Sequence, residues 1–342
     1  MFFENVSYIK YKGEVESFID ANLPKYSGDG RKTLCEAMGY AVSGGGKRLR
    51  GVLALACGDM LSGETGGALP FAGAIEFIHA YSLVHDDMPC MDDDDFRRGK
   101  PSCHKVFGEG TAMLAGDALL NLAFEVLLDY VSATRRGGYK AAEAAAYIAR
   151  ASGAGGMAGG QAIDLGAGAA DKDSLIKLCG LKTGRLFNAA VVAPAIFLNA
   201  GERDLAALNG YGDALGLAFQ IKDDIIDSID IGSNGGGIDG SVANEGGFDG
   251  SVANGGGFDG NVANGGGVGG IVCGGSVSGN AGGGTGIGKS RTEPNFVDAI
   301  GLPASMDLLY NVCSEAKKYL ERLSDRAGFF YSLIDWLVSE YK

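Results

Sequence analysis

A run of six carboxylates occupies residues 86–95, DDMPCMDDDD, and follows directly on an apolar stretch. Carboxylates this close repel one another, so they cannot lie at the buried end of an apolar helix unless a cation neutralises them. Oxygen ligands of this kind suit Mg²⁺, which keeps several waters and is usually shared with substrate phosphates. We expect Pro89 to stop the helix near Met88, so that Asp92 returns on a turn to share an ion with Asp86. The alternative is a solvated acidic loop.

A second acidic cluster, FQIKDDIID, occupies residues 219–227. Asp223 and Asp227 are spaced i, i+4 and therefore share one face of a helix. Like charges at that spacing destabilise a helix unless a cation bridges them. One such pattern is common on surface helices, whereas two acidic clusters that each end an apolar helix are much more specific.

Glycines precede a group of cations at residues 43–51, SGGGKRLRG. Glycine allows a close backbone approach, free N–H groups can meet an anion, and Lys47 and Arg50 add positive charge. The order G-x-x-x-x-G-K-[ST] of the P-loop is absent, which disfavours nucleotide hydrolysis. The alternative is an ordinary turn into the basic start of a helix.

Single polar residues also interrupt the apolar helices. His79 precedes Asp86 by seven residues, which places it about 20° away on the same helical face and roughly 10 Å along the axis. It is in line to contact a second phosphate group, although a lone histidine on an apolar helix is more often a core residue. The other interruptions are Gln161, Asp164, Lys182, Thr183 and Gln220.

Helices must position these groups, because the apolar residues recur at helical spacing and alternating β-branched runs are scarce. The segments at 70–85 and 111–128 are apolar nearly all round, which predicts buried central helices. We therefore expect an all-α bundle of ten or more helices with its sites between facing helices. The predicted helices are 13–24, 32–43, 48–62, 70–88, 111–132, 139–165, 172–199, 204–230, 305–325 and 328–341.

Glycine is concentrated in one tract, residues 232–288, which holds 25 of the 59 glycines. Within it a ten-residue pattern, such as FDGSVANGGG from Phe248, recurs three times. Such a sequence buries too little apolar surface to offset the entropy of ordering its glycines, which predicts a disordered insertion. The alternative is an ordered Ca²⁺ or interaction module, although calcium β-rolls repeat every nine residues.

Composition excludes several classes of protein. The net charge of -13 disfavours nonspecific binding of nucleic acid. The seven cysteines are odd in number and form no C-x-x-C pair, which favours reduced thiols in a cytoplasmic protein. No uninterrupted apolar run approaches ~18 residues, so we expect no membrane span. The first residues lack the pattern of a signal peptide.

Taken together, the motifs resemble those of the trans-isoprenyl diphosphate synthases, in particular the bacterial short-chain farnesyl diphosphate synthases. The similarity lies across roughly residues 30–230, and the motifs follow the family's order. The matching stretches are GGGKRLRG, IHAYSLVHDDMPCMDDDDFRRGKPSCHKVFGE, LAGDALLNLAFEVL, GGQAIDL, KTGRLF and FQIKDDIID.

This resemblance implies an isoprenoid-synthase bundle formed by one domain, 1–342, that carries the insertion 232–288. It implies three Mg²⁺ ions, held jointly with a substrate diphosphate. The residues implied to ligate or surround these ions are Asp86, Asp87, Asp92, Asp223, Asp224 and Asp227. The residues implied to bind the diphosphate of isopentenyl diphosphate are Gly46, Lys47, Arg50, His79 and Arg98. Arg97 and Lys182 would lie beside the allylic diphosphate, and Thr183 and Gln220 would face the reacting carbon.

The activity implied is that of a short-chain prenyltransferase, acting as a homodimer on isopentenyl and allylic diphosphates. In the family, an aromatic residue in the position of Tyr81 resembles a floor that stops growth at C15, which implies (2E,6E)-farnesyl diphosphate as product. Ideal helix geometry places Tyr81 nearly opposite Asp86, while Ser82 lies one turn deeper and about 40° from it. Geometry alone therefore does not put Tyr81 in the product tunnel, and a geranylgeranyl diphosphate synthase is the alternative.

The similarity is interrupted after the second acidic cluster, where the family continues with a short loop that carries a lysine. Here the glycine repeats begin directly after Ile231, and Lys289 is the candidate to replace that lysine. A weakly active partner subunit of a heteromeric synthase is therefore a second hypothesis. A class I terpene cyclase is a third, disfavoured by the second DDxxD and by the cations for a second diphosphate.

Overall fold

The computed structural model describes residues 2–43, 45–134, 138–166, 171–233, 295–323 and 325–339. All of them lie in the larger of the two units into which the chain divides. The smaller unit, 250–291, lies outside the described residues. The predicted disorder of the glycine-rich insertion and the predicted role of Lys289 also concern residues outside the described part, so both stay predictions.

Helices dominate the described residues, which confirms the predicted all-α class. The only strands there are two residues long, Phe96–Arg97 (β1) and Lys100–Pro101 (β2), paired as an antiparallel hairpin. The helices are α1 (Val6–Asn22), α2 (Arg31–Ser43), α3 (Leu49–Ser62), α4 (Leu69–Asp86), α5 (Cys103–Phe107), α6 (Glu109–Ala133), α7 (Gly138–Ser152), α8 (Met157–Leu165), α9 (Lys172–Cys179), α10 (Arg185–Phe197), α11 (Glu202–Ser233), α12 (Phe296–Ile300), α13 (Leu302–Leu320) and α14 (Gly328–Ser339). Short 3-10 turns occupy Phe2–Glu4 and Asp325–Ala327, and a π-helical turn occupies Gly180–Gly184.

Two nearly continuous apolar helices, α4 and α10, form the centre of the bundle. Most residues of both are buried, and α4 packs against α3, α6 and α10 while α10 packs against α3, α7 and α11. The predicted central position of segment 70–85 is thereby confirmed. Helices at this depth are held by packing of their apolar surface more than by intrinsic helix propensity.

Two predicted helices have wrong bounds for local reasons. The predicted helix at 139–165 is two helices, because the glycine-rich stretch 153–156 separates α7 from α8. The first helix begins at Val6 instead of residue 13, since the Asn5 side chain accepts a hydrogen bond from the Ser7 amide at 2.8 Å and caps it. The predicted helix at 172–199 contains the π-helical turn between α9 and α10.

One helix in the described residues, α6, is long and apolar enough to cross a membrane by length and composition. Buried helices of proteins without any membrane span meet the same criterion, and 44% of the most apolar window of α6 is buried inside the protein. The helix packs along α4. The expectation of no membrane span therefore stays a prediction.

The cysteines of the described residues are all free thiols, and no disulfide joins them. Four of them, Cys57, Cys103, Cys179 and Cys313, are buried, whereas Cys90 is exposed in the acidic segment after α4. This agrees with the prediction of scattered reduced thiols.

Close backbone packing at Gly160 generates a stability prediction. A Cβ atom at this position would lie 2.3 Å from the amide nitrogen of Lys182 and 2.6 Å from its Cα. Backbone atoms cannot move aside as a flexible side chain can, so Gly160→Ala would force α8 away from the π-helical turn. We expect a loss of about 1–3 kcal/mol in the free energy of unfolding, measured as a lower midpoint in urea at an unchanged m-value.

Gly180→Ala is the matched control, because Gly180 lies in the same π-helical turn with φ -59° and a Cβ atom there would have nothing within 4 Å. We expect this variant to keep its stability or to gain up to about 1 kcal/mol. An equal loss in both variants would show that the turn rejects any added side chain, and the close-packing explanation would be wrong.

Candidate functional site

The first acidic cluster forms a tight turn at the end of α4. The Asp92 amide donates to the Asp86 carbonyl at 2.9 Å, and the Asp93 amide donates to the Met88 carbonyl at 3.2 Å. The helix ends at Asp86, three residues before Pro89. The predicted return of Asp92 toward Asp86 is thereby confirmed, since both residues belong to the same turn.

Arg97 anchors this turn through Asp87. Its Nε donates to Asp87 Oδ1 at 2.9 Å, and its Nη2 donates both to Asp87 and, at 3.2 Å, to Asp94. The Asp87 carboxylate is almost fully buried. Burial raises the pKa of Asp87 despite the opposing hydrogen bond from Arg97. In this structure Asp87 therefore holds Arg97 in place, and its direct binding of an ion stays a prediction.

Arg98, the next residue of the β1–β2 hairpin, connects the acidic turn to the glycine loop. Its Nη1 donates to the Gly45 carbonyl at 2.7 Å. The backbone of Gly46 has φ +108°, and a Cβ there would lie 2.5 Å from the same nitrogen of Arg98. Glycine is favoured at 46, since a side chain there would be strained by the left-handed backbone and would displace the Arg98 guanidinium.

The second acidic cluster lies on α11, where a chain of hydrogen bonds fixes its inner residues. Thr183 Oγ1 donates to Gln220 Oε1 at 3.0 Å, and Gln220 Nε2 donates to Asp224 Oδ1 at 3.0 Å. The other oxygen of Asp224 accepts from the Phe296 amide at 2.8 Å. Both Asp224 oxygens thus bind protein groups, while Asp223 and Asp227 are exposed.

The π-helical turn Gly180–Gly184 joins the two acidic clusters. Lys182 Nζ pairs with Asp164 Oδ2 at 2.7 Å, and its charge also acts on Asp86. Thr183, the next residue, begins the hydrogen-bond chain that reaches the second cluster. Such widened turns occur often at functional sites. The predicted grouping of Lys182, Thr183 and Gln220 is present in the structure, although their roles in catalysis stay predictions.

Both acidic clusters contain a carboxylate whose charge is poorly compensated. Burial raises the pKa of Asp86 to about 7 against the opposing charge of Lys182. Asp223 is solvent-accessible but closely surrounded by protein. This partial desolvation, with repulsion from Asp227 and Asp224, raises its pKa to about 7 as well. A divalent cation bound to these oxygens would relieve both effects.

The predicted cation cluster lies at the start of α3 and faces α4. Arg50 Nη1 lies 3.2 Å from His79 Nε2, and its guanidinium stacks 4.2 Å from the centre of the Phe187 ring. Burial lowers the pKa of Arg50 to about 10, so the group remains charged at neutral pH. Burial and the nearby arginines hold the pKa of His79 well below its usual range, so its imidazole is neutral.

Lys47 lies over the aromatic rings of the two chain ends. Its Nζ is 4.6 Å from the centre of the Phe3 ring and 5.5 Å from that of Trp336. The opposite charge of Lys47 also lowers the pKa of Asp223, which places the lysine within electrostatic range of the second acidic cluster. The elements that carry Phe3 and Trp336 therefore form one wall around this lysine.

Sequence reasoning missed the carboxylate that supports this cluster, Glu76. It is 2% exposed in the middle of α4. Its Oε1 accepts from the Gly51 amide at 2.8 Å, and its Oε2 lies 3.8 Å from Arg48 Nη1. A lone glutamate inside an otherwise apolar helix was the available signal, because such a charge is buried only when it is paired.

Asp164 is the second missed residue, noted in the sequence only as a polar interruption. It is 4% exposed and pairs with Lys182. A single sequence does not show this pairing, because the two side chains are 18 residues apart along the chain.

The two predicted chain-length residues lie on α4, one turn before the first acidic cluster. Tyr81 is half-buried and its ring packs edge-on against the His85 ring at 5.8 Å between centres. Ser82 Oγ donates to the His79 carbonyl at 2.9 Å within the helix. These contacts give their positions, while their role in product length stays a prediction.

The motifs predicted an all-α bundle that carries two acidic clusters, and the described residues form such a bundle, in which a π-helical turn connects the two clusters. The polyprenyl synthetase family model matches residues 31–236. The chain belongs to the polyprenyl synthetase family, which confirms the resemblance stated from the sequence.

Individual relatives carry more specific names. The chain is 46% identical over 201 residues to the farnesyl diphosphate synthase of Escherichia coli, covering 57% of this chain and 66% of that protein. It is 39% identical over 231 residues to the large subunit 1 of the heterodimeric chloroplast geranylgeranyl pyrophosphate synthase of Arabidopsis thaliana, covering 66% of this chain and 62% of that protein. The matches thus span less than two thirds of the length of these relatives.

A solved structure shares the whole fold. The apo crystal structure of an FPP/GFPP synthase from Zymomonas mobilis matches with a TM-score of 0.72 and 31% identity, covering 97% of this chain and 99% of that chain. The bundle predicted from the sequence is therefore confirmed.

The raised pKa of Asp86 predicts a pH-dependent effect on stability. An aspartate in the unfolded chain has a pKa of about 3.9, so between about pH 4 and pH 7 the folded protein retains a proton that the unfolded chain releases. Its unfolding free energy therefore falls as pH rises through that window. We expect Asp86→Asn to stabilise the metal-free protein at pH 8 by on the order of 1–2 kcal/mol, with a smaller gain at pH 5.

Urea denaturation in EDTA at the two pH values measures this difference. Asp20→Asn is the control, because Asp20 is an exposed carboxylate on α1, away from the acidic clusters. A gain for Asp86→Asn that is equal at pH 5 and pH 8 would contradict the electrostatic explanation.

Proposed function

We propose that this protein is a short-chain prenyltransferase that condenses isopentenyl diphosphate with dimethylallyl or geranyl diphosphate to (2E,6E)-farnesyl diphosphate. In each cycle the allylic carbon–oxygen bond breaks, the double bond of isopentenyl diphosphate attacks the allylic carbon, and one proton is lost. The products of a cycle are a chain five carbons longer and free diphosphate. The family membership and the names of the two relatives support this proposal.

The observation that carries the proposal is the convergence of two carboxylate clusters, each containing an aspartate with a pKa of about 7, on one π-helical turn. The donor set of aspartate oxygens fits Mg²⁺, and Asp86, Asp92 and Asp223 would hold the three ions. When bound, Mg²⁺ supplies charge stabilisation to the departing diphosphate. Lys182, which is held by its ion pair with Asp164, adds a positive charge near Asp86.

The cations at the start of α3 suit a second diphosphate, that of isopentenyl diphosphate. Arg50 is charged and closely surrounded by protein, and its Nε is buried without a hydrogen-bond partner among the described residues. Because an unpaired buried donor is costly, a bound anion at this point would be stabilising. Gly46, Lys47 and Arg98 lie around the same loop, and the neutral His79 is placed to accept or donate one further bond.

Thr183 and Gln220 would face the reacting carbon. Their mutual hydrogen bond and the bond from Gln220 to Asp224 fix the orientation of both polar groups. Fixed dipoles of this kind stabilise positive charge at the allylic carbon without the reorganisation that water would need. The apolar residues of α4 and α10 exclude water, which would otherwise convert the allylic cation to an alcohol.

The test is a condensation assay on the purified full chain with labelled isopentenyl diphosphate and either allylic diphosphate. We expect product in Mg²⁺, no product in EDTA and recovery when Mg²⁺ is restored. Asp86→Asn and Asp223→Asn should each lower turnover by about a hundredfold or more, while Asp20→Asn should match the parent protein. Condensation that persists in EDTA would contradict the metal assignment.

Product length depends on Tyr81 in this proposal. Replacing its half-buried ring by a methyl group opens space one turn before Asp86, so we expect Tyr81→Ala to shift the product from C15 to C20 or longer. Tyr139→Ala is the control, because it removes the same ring from α7, where Tyr139 is 79% exposed. Chromatography of the dephosphorylated products measures the change. An unchanged C15 product would contradict the assignment of Tyr81 as the residue that stops chain growth.

A partner subunit of a heteromeric synthase is the second candidate function. It is favoured by the similarity to a large subunit named as heterodimeric. A purified chain that folds but condenses no substrate at any Mg²⁺ concentration would support this candidate against an independently active enzyme.

A further inference from the structure

Three side chains beside the first acidic cluster form a group that the proposed reaction does not use. Asp93 and Asp95 are exposed on the acidic turn, and His104 lies on α5. Each residue offers one potential ligand atom, which gives two carboxylate oxygens and one imidazole nitrogen. These three atoms lie within 4.8 Å of one another. Small side-chain rotations would therefore bring all three into contact with a single ion.

His104 supplies an observation that is independent of the acidic residues. His104 is only 6% exposed, and both of its ring nitrogens are buried without a hydrogen-bond partner among the described residues. Leaving a buried polar atom unpaired is unfavourable. One of these nitrogens faces the two carboxylates, so a ligand bound there would satisfy it.

The chemistry of the three groups selects the kind of ligand. An imidazole nitrogen with two carboxylate oxygens suits a divalent transition metal such as Zn²⁺, whereas Mg²⁺ prefers oxygen alone. We propose that Asp93, Asp95 and His104 form a Zn²⁺-type site, separate from the carboxylates of Asp86, Asp92 and Asp223. Three protein ligands leave a fourth position for water. The site is independent of the proposed prenyltransferase activity.

Lys105 modulates the charge of this site. Its Nζ pairs with Asp95 Oδ1 at 2.5 Å, which leaves the other oxygen of the carboxylate as the ligand atom. A positive charge this close opposes the binding of a cation. Lys105→Gln should therefore bind Zn²⁺ severalfold more tightly than the parent protein, an effect that a merely structural role of the cluster would not produce.

Isothermal titration of the EDTA-stripped full chain with ZnCl₂, in excess Mg²⁺ to occupy oxygen-only sites, tests the proposal. We expect one Zn²⁺ per chain, and binding about tenfold or more weaker in Asp93→Asn, Asp95→Asn and His104→Gln. Asp94→Asn is the matched control, since it removes the same charge from the same run without touching the three ligands, and it should bind as the parent does.

Because Asp93 is exposed, its variant tests the proposal even if replacement of the buried His104 prevents folding. Asp93 has φ 55°, a backbone conformation that asparagine adopts readily, so Asp93→Asn should keep the turn intact. Cys90→Ser is included because this exposed thiol is the nearest competing Zn²⁺ ligand in sequence. Absence of Zn²⁺ binding, equal binding in Asp93→Asn and Asp94→Asn, or a loss confined to Cys90→Ser would each overturn the proposal.

Discussion

The site depends on one constraint, the burial of closely spaced carboxylates whose charges are only partly compensated. Two helices, α4 and α11, carry acidic clusters that the π-helical turn connects, and burial leaves Asp86 and Asp223 each with a pKa of about 7. The surrounding positive charges are placed in two groups, Lys182 and Arg97 toward the first cluster and Lys47 and Arg50 toward the second. They reduce the repulsion without cancelling it, so a divalent cation bound to these carboxylates would be stabilising.

Hydrogen bonds to the inner members of each cluster keep this unfavourable arrangement in place. Asp87 binds Arg97, and Asp224 binds both Gln220 and the Phe296 amide. Each of these carboxylates therefore connects its cluster to a distant part of the chain, the β1–β2 hairpin in one case and α12 in the other. The outer members, Asp86 and Asp223, are the carboxylates whose pKa is raised to about 7.

The sequence predicted the groups whose chemistry is local and missed those whose pairing is tertiary. Paired carboxylates at a helix end, and glycines before cations, are visible in a few adjacent residues. Glu76 and Asp164 were not assigned, because their partners Arg48 and Lys182 become neighbours only when separate helices pack. The break between α7 and α8 was missed for another reason: alanine-rich flanks continued the helical pattern across the glycines at 153–156.

The π-helical turn also sets how the neighbouring helices meet the rest of the bundle. An additional residue in a turn offsets everything after it by about 100° around the axis. The preceding helix α9 accordingly packs against α8, α11 and α12, whereas the following helix α10 packs against α3, α4 and α7 as well as α11. The nearly continuous helix formed by α9, the π-helical turn and α10 thus presents apolar faces that point in different directions before and after the turn. Removing a single residue at 180–184 would therefore misalign one side of the core.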